Sequence, residues 1–306
     1  MAGSFFEFKP LSFRGEVAVV APSSPFDKSV FNAGVTEMKL NKLRPVIDKA
    51  VFAKAGFLAG SDDERAEQFV KAFTAEKVEA VWTARGGYGA LRLLEKLDEN
   101  IDKIKANPKL FIGFSDVTVL HSWLVEKCGF VTVHGPNVTT LSKIDRYSKA
   151  QIFDLLTGKD RAFSIFSKNI RTINPGKVKG TVKGGNLATL VSLLGTPYEP
   201  DFKDSILFIE DVGERHYHID RMMNNLRMSG VLARIKGFVV GQFTDCEDDP
   251  LMGCTVSQTI AQAVESYTFP VLFDFPAGHV EDNCPLWLNT IQQLSVTEKL
   301  STLAPQ

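Results

Sequence analysis

Over the first 125 residues, short β-branched and apolar runs alternate with longer stretches of helical periodicity, and this rhythm constrains the fold more tightly than any other feature of the chain. Residues 16–21 (EVAVVA) read as a buried strand that ends in the turn-rich 22–25 (PSSP). Apolar residues then recur at helical spacing from 29 to 43, and Pro45 and Val46 open a second extended piece. Ser61, with Glu64 three residues on, predicts a capped helix start for a helix through Ala66, Phe69, Val70 and Phe73. Residues 78–82 (VEAVW) are the next strand, followed by 84–89 (ARGGYG) and a helix containing Leu91, Leu94 and Leu97. Residues 109–113 (KLFIG) lead into Ser115 and a helix through Val119, Leu120 and Leu124. Strands alternating with helices in this way predict a parallel sheet covered on both faces. Such sheets bind ligands beyond the carboxyl ends of their strands, where the 84–89 loop and the 113–117 turn both fall.

The pattern weakens from about 140 to 179, a polar stretch with a turn at 174–176 (NPG) that reads as a linker or crossover. A second pattern follows: 179–185 (KGTVKGG), a helix from 187 to 194, strands at 205–209 and 236–241, helices around 219–228 and 256–266, and a strand at 271–274. The ending, 287–291 and 293–296, resembles a closing hairpin. The domains expected are 1–140, a linker at 141–178, and 179–306 as a smaller mixed β/α domain.

With 306 residues, 44% hydrophobic, the chain has enough apolar surface for a core without covalent staples. Its 35 basic and 36 acidic residues nearly cancel, so nothing favours nucleic acid. Cys128, Cys246, Cys254 and Cys284 form no CxxC pair and no zinc spacing, so reduced thiols and no metal or cofactor are expected. The amino terminus lacks a basic segment followed by a long apolar one, and no apolar run approaches the ~18 residues a membrane span needs. A soluble, cytoplasmic protein with no membrane association is expected.

Several residues are candidates for chemistry. Ser115, in 111–117 (FIGFSDV), lies where a strand passes through glycine into a helix, the geometry of a nucleophile elbow. Val117 leaves the G-x-S-x-G pattern half complete, and a plain helix cap is the alternative. The adjacent glycines of 84–89 let backbone approach a ligand, or form a tight turn; neither phosphate-loop pattern is matched. Of five histidines, His279 follows the 271–274 strand in a loop, His134 stands at a strand end, and His121 sits in a helix pattern. His216 and His218 would share a face on a strand, but no third metal ligand accompanies them, so a surface or domain-contact role is expected. Glu210 closes an apolar strand, and a carboxylate there must be solvated in a cleft or paired. Asp211 faces the other way, and either acid suits the third place of a triad.

Together these fragments resemble the LD-carboxypeptidase family of serine peptidases. The matching stretches are VAVVAPSSP, GFLAGSDDERA, VWTARGGYGALRLL, KLFIGFSDVTVLHSWL, GPNV, KGTVKGGNLATLVSLLGTPYEP, LFIEDVGERHYHIDRMMNNL and FPAGHVEDNCPLWL, in the family's order over nearly the whole chain. The resemblance implies an α/β fold: an N-terminal Rossmann- or flavodoxin-like parallel-sheet domain and a smaller C-terminal mixed β/α domain of swivelling type. It places the nucleophile on Ser115, the carboxylate on Glu210 and the base on His279. It maps the oxyanion hole to the backbone N–H groups of Gly87 and Asp116, and puts Asn186 near the cleft. Arg85 is the candidate for gripping a substrate carboxylate. The implied reaction removes terminal D-alanine from murein tetrapeptides in peptidoglycan recycling, by a cytoplasmic homodimer. A related branch cleaves an amide in a peptidyl-nucleotide (microcin resistance) and usually carries a longer interdomain loop than 140–179. A non-catalytic muropeptide-binding protein on the same scaffold is the third reading. Ala277 before Gly278, and Arg215 with His216 after the EDVGE motif, depart from commoner family forms.

Overall fold

The computed structural model describes residues 9–159, 165–166, 172–297 and 300–305. Two compact units are present: Met1–Arg161 with Glu281–Asn289, and Ala162–Val280 with Thr290–Gln306.

The first unit begins β1 (Glu16–Val20), α1 (Lys28–Leu40), β2 (Arg44–Ile47), α2 (Asp62–Thr74), β3 (Val78–Thr83), α3 (Leu94–Asp98) and α4 (Ile101–Lys105). It continues with β4 (Leu110–Gly113), α5 (Thr118–Trp123), β5 (Thr132–His134) and α6 (Arg146–Thr157). These five strands are parallel, in the order β2-β1-β3-β4-β5. That is the flavodoxin-like order, whose switch point lies between β1 and β3. Val81 pairs with Phe111 and Trp82 with Ile112, so Phe111 and Trp82 face opposite sides of the sheet. Phe69 of α2 packs on Phe111 and Phe153 of α6 on Trp82, which puts helices on both faces as the alternation predicts. The helix α2 starts on the expected capping box. Ser61 Oγ accepts from Glu64 N–H at 3.2 Å, and Glu64 Oε2 accepts from Ser61 N–H at 2.7 Å.

One sequence expectation changes here. Residues 146–157 lie inside the stretch read as a linker or crossover, yet they form α6, capped by Asp145 and burying Ile152, Phe153, Leu155 and Leu156. Its polar first turn (RYSK) hides the apolar face that follows.

The second unit contains β6 (Ile165–Phe166), β7 (Thr172–Ile173), β8 (Gly176–Asn186), α7 (Leu187–Val191), β9 (Ile206–Val212), α8 (His216–Met228), α9 (Val231–Arg234), β10 (Gly237–Thr244), α10 (Val256–Val264) and β11 (Val271–Leu272). The chain then gives β12 (Leu286–Leu288) to the first unit and returns for β13 (Ile291–Val296) and β14 (Thr302–Pro305). The two arms expected to form a closing hairpin therefore do not pair with each other. β12 pairs antiparallel with β5, whereas β13 pairs with β8 and β14. The second sheet is mixed, in the order β6-β14-β13-β8-β9-β10-β11-β7, with β8 to β11 parallel. Leu207, Ile209, Phe238 and Val240 bury one face of it against Leu187, Ile219, Met223 and Ile260 of the helices.

Asp211 points to this helical side, as strand alternation from Glu210 requires. Its carboxylate accepts from Ala188 N–H (2.9 Å), Asn186 Nδ2 (2.8 Å) and Val212 N–H (2.8 Å), at the start of α7. Burial first, and the neighbouring Glu210 carboxylate second, push the Asp211 carboxyl up to about 6 against the pull of those bonds.

Ser61→Ala should lower stability by about 1 kcal/mol, read from the urea unfolding midpoint. Between about 4, the unfolded value, and the folded value the native Asp211 holds more protons than the unfolded chain, so its contribution falls as pH rises. Asp211→Asn should remove that limb: relative to the variant, wild type loses stability across that window, and parallel curves would show that the acid does not titrate as described.

Candidate active site

At the end of β4 the chain runs from Gly113 through extended Phe114 (φ −154°, ψ 179°) into Ser115 at φ 73°. A left-handed conformation is uncommon for a residue with a Cβ and marks a constrained position. A helical run starts at Ser115 and continues into α5, so the segment has the strand–turn–helix form of a nucleophile elbow. Gly113 has to be glycine: a Cβ there would overlap Thr83 Oγ1 and lie 2.9 Å from Val117 Cγ2. Its carbonyl accepts from Gly135 N–H (3.0 Å) and from His121 Nε2 (2.8 Å). His121 is buried, which drives its pKa down to about 3 and keeps the imidazole a neutral N–H donor. It is thereby a prop beneath the serine turn. His134, the other histidine considered as a base, is fully buried with its ring edge-on to Phe114 at 5.8 Å.

The glycine loop lies against the serine. A Cβ on Gly86 would stand 2.8 Å from Cβ and 3.0 Å from Oγ of Ser115, so only glycine permits this approach. Gly87 adopts φ 105° and packs on Ser24. Ser24 N–H donates to Gly86 O at 3.2 Å, and its Oγ accepts from Tyr88 N–H at 3.0 Å. Asp116 Oδ2 accepts from Ala90 N–H at 2.8 Å and so ties the serine turn to the end of the loop. Arg65, buried on α2, binds the carbonyls of Gly89 (2.9 Å) and Pro22 and pairs with Asp62. Arg85 is exposed, and its Nη1 donates to Pro25 O at 2.7 Å.

The second unit brings Glu210 and His279 together. Glu210 ends the apolar part of β9 and is fully buried; its Oε2 lies 2.8 Å from His279 Nδ1. With Nδ1–H donating to the carboxylate, Nε2 is left as the proton acceptor. Two glycines make room for the pair. A Cβ on Gly278 (φ 133°) would sit 3.0 Å from Glu210 Oε2, and one on Gly241 would sit 2.6 Å from Ala277 O and 3.1 Å from Glu210 Cβ. The His279 loop is pinned to β10 by Gln242 N–H to Ala277 O (3.0 Å) and Phe275 N–H to Val240 O (3.0 Å). Asn186 is buried in this unit, its Nδ2 on Asp211 and its Oδ1 accepting from Thr189 N–H at 3.0 Å, so its amide serves the start of α7.

The His-x-His pair lies on α8, not on a strand. His216 is buried, accepting from Asp249 N–H at Nδ1 (3.1 Å) and facing Thr259 Oγ1 through Nε2 (2.7 Å). His218 pairs with Glu214 at 2.9 Å. Among the described residues no group of three His, Cys, Asp or Glu side chains is placed to hold a metal ion, and no helix is long and apolar enough to cross a membrane. Sequence reading gave no role to Arg65, Ser24 or Asn137, although all three fall inside its quoted motifs (SDDERA, PSSP and GPNV).

Residues 17–135 match the LD-carboxypeptidase N-terminal domain and residues 179–294 the LD-carboxypeptidase C-terminal domain. The chain is 33% identical over 313 residues to the probable murein peptide carboxypeptidase of Bacillus subtilis (strain 168), spanning 99% of this chain and 97% of that protein. The crystal structure of muramoyltetrapeptide carboxypeptidase from Oxalobacter formigenes superposes with a TM-score of 0.84 at 28% identity, covering 95% of this chain and 98% of that one. The microcin C7 self immunity protein MccF shares the fold, with a TM-score of 0.87 at 22% identity over 97% of this chain and 98% of its own. With the serine turn in one unit, the carboxylate–imidazole pair in the other, and both domain matches in register, the chain belongs to the LD-carboxypeptidase family and is a serine-type carboxypeptidase, a hydrolase.

Proposed function

We propose that this enzyme hydrolyses the LD-peptide bond between meso-diaminopimelate and the terminal D-alanine of murein tetrapeptides, with Ser115 as nucleophile, His279 as base and Glu210 as the acid that orients it. The observation that carries the assignment of roles is the Glu210–His279 contact, which fixes the imidazole tautomer and frees Nε2 to take a proton. The relatives' names, probable murein peptide carboxypeptidase and muramoyltetrapeptide carboxypeptidase, support a murein-peptide substrate.

In this reading Ser115 Oγ attacks the scissile carbonyl as its proton passes to His279 Nε2, and the buried Glu210 carboxylate stabilises the imidazolium. The backbone N–H groups of Gly87 and Asp116 receive the developing oxyanion, a contribution worth about 10²–10³ in rate per donor. His279 then protonates the departing amine of D-alanine, and water, activated by the same imidazole, releases the acyl group from Ser115. Arg85 beside the glycine pair is the proposed cation for the substrate's terminal carboxylate, and Asn186 supports the site from the start of α7. The proposal extends to a cytoplasmic homodimer acting in peptidoglycan recycling, which the family resemblance supports; light scattering on purified protein tests the dimer.

Ser115→Ala should keep the fold and lose D-alanine release from a defined murein tetrapeptide by at least about 10⁴-fold, followed by mass spectrometry. Near-wild-type release would remove Ser115 from the role. Glu210→Gln should lower kcat by about 10³–10⁴-fold in the same assay. A peptidyl-nucleotide amide offered in parallel decides between this reading and the microcin-resistance type: preferential cleavage of that amide would overturn the murein assignment.

A further inference from the structure

The left-handed conformation of Ser115 has an energetic cost of about 1–3 kcal/mol, which persists only where surrounding contacts over-determine it. Residues 113 to 116 each have such a contact. Gly113 O is held by Gly135 and His121, Ser115 O accepts from Thr118 Oγ1 at 2.7 Å, and Asp116 is tied to Ala90. At Phe114, the residue directly before the serine, the partner is the side chain of Asn137.

We propose that Asn137 is a positioning residue for Ser115, its amide clamping both backbone polar groups of Phe114; the proposal rests on the reading of Ser115 as nucleophile. Asn137 Oδ1 accepts from Phe114 N–H and Asn137 Nδ2 donates to Phe114 O, each at 3.4 Å. Those distances are long for N–H···O bonds, so each bond by itself adds little stability.

Three further observations separate this from an ordinary buried asparagine. First, Asn137 occupies the N-cap position of the short helix Val138–Thr140, where an Asn side chain ordinarily caps; here it makes no cap bond and turns back to Phe114 instead. Second, Phe114 itself orients the amide: its N–H can only donate and its carbonyl can only accept, so Oδ1 faces the former and Nδ2 the latter, while Thr83 Oγ1, which also lies 3.2 Å from Ile112 O, contacts Oδ1. Third, the backbone carrying Asn137 is pinned on both sides. Gly135 N–H donates to Gly113 O (3.0 Å), Trp82 Nε1–H to Pro136 O (2.7 Å) and Thr139 N–H to Ala84 O (3.0 Å). The absent Cβ of Gly113 leaves the space, since one there would lie 3.1 Å from Asn137 Oδ1. Asn137 is 3% exposed, so water does not substitute for its amide.

Asn137→Asp is the informative variant. It keeps the size and the acceptor toward Thr83 and Phe114 N–H, but it sets an oxygen against the Phe114 carbonyl in place of the donor. A misplaced nucleophile costs on the order of 10²-fold. The full-length variant should therefore show kcat for D-alanine release lowered about 10²-fold with KM within about twofold of wild type, and an equal fall in the rate at which a fluorophosphonate labels Ser115. Thr83→Val, which removes the hydroxyl contact to Oδ1 and keeps the shape, should lower both rates about tenfold. Wild-type kcat and labelling rate in folded Asn137→Asp would overturn the clamp. Should Asn137→Asp fail to fold, unchanged rates in Thr83→Val would overturn it instead. A wild-type enzyme that is not labelled, with Ser115→Ala still active, would overturn the nucleophile assignment and the clamp with it. A labelled wild type with insensitive variants would overturn the clamp alone.

Discussion

Ser115 sits at φ 73° where β4 ends, and the first unit is organised around holding it there. Such a turn lifts a hydroxyl above a parallel sheet and starts a helix behind it, but a residue with a Cβ resists the conformation. The neighbouring backbone therefore has to come unusually close. Gly113 admits Thr83 and Val117, Gly86 admits the serine side chain, and the Gly87 turn settles on Ser24. Each approach forbids a side chain at the position that makes it. Polar groups complete the arrangement: buried His121 under Gly113, buried Arg65 across Pro22 and Gly89, and half-buried Asp116 on Ala90. Arg65 and His121 are costly groups to bury; beside its pair with Asp62, Arg65 binds the carbonyls of Pro22 and Gly89, and His121 binds that of Gly113.

In the second unit the strand period does the sorting. Glu210 and Asp211 are adjacent, so β9 sends them to opposite faces. Glu210 meets an imidazole; Asp211 meets the N–H groups at the start of α7. Two buried carboxylates one residue apart repel, and part of the rise in the Asp211 pKa comes from its neighbour. Gly241 and Gly278 bring the His279 loop close enough for the contact with Glu210, in the same way that glycines bring the first unit's loops to Ser115.

The fold is shared with proteins whose names describe different chemistry, a muramoyltetrapeptide carboxypeptidase and a microcin self immunity protein. Fold similarity therefore says little about the substrate, and the argument for one has to come from side chains at the site. The 33% identity over 99% of the chain to a probable murein peptide carboxypeptidase shows the family.

Much of this was legible in the residues. The β-branched runs 16–21, 78–82 and 109–113 fixed a parallel sheet, because such runs with intervening helices have few other solutions. Ser61 with Glu64 announced a helix start, since a capping box is local chemistry. The motif around Ser115 announced a turn, though not its sign of φ. Other parts depended on partners distant in sequence. The 286–288 strand looks like half of a hairpin, yet β5, some 150 residues earlier, supplies its edge. The His-x-His pair has a strand-like spacing, but helix α8 takes it and buries His216 against Thr259 and Asp249. Asn137 carries no local signal, because its role comes from Phe114, just past β4, and Thr83, at the end of β3. Local chemistry, which is caps, periodicity and glycine punctuation, was set by the sequence alone. Which buried polar group meets which backbone was decided only when the sheets formed, because those contacts join residues tens of positions apart and no short-range pattern encodes them.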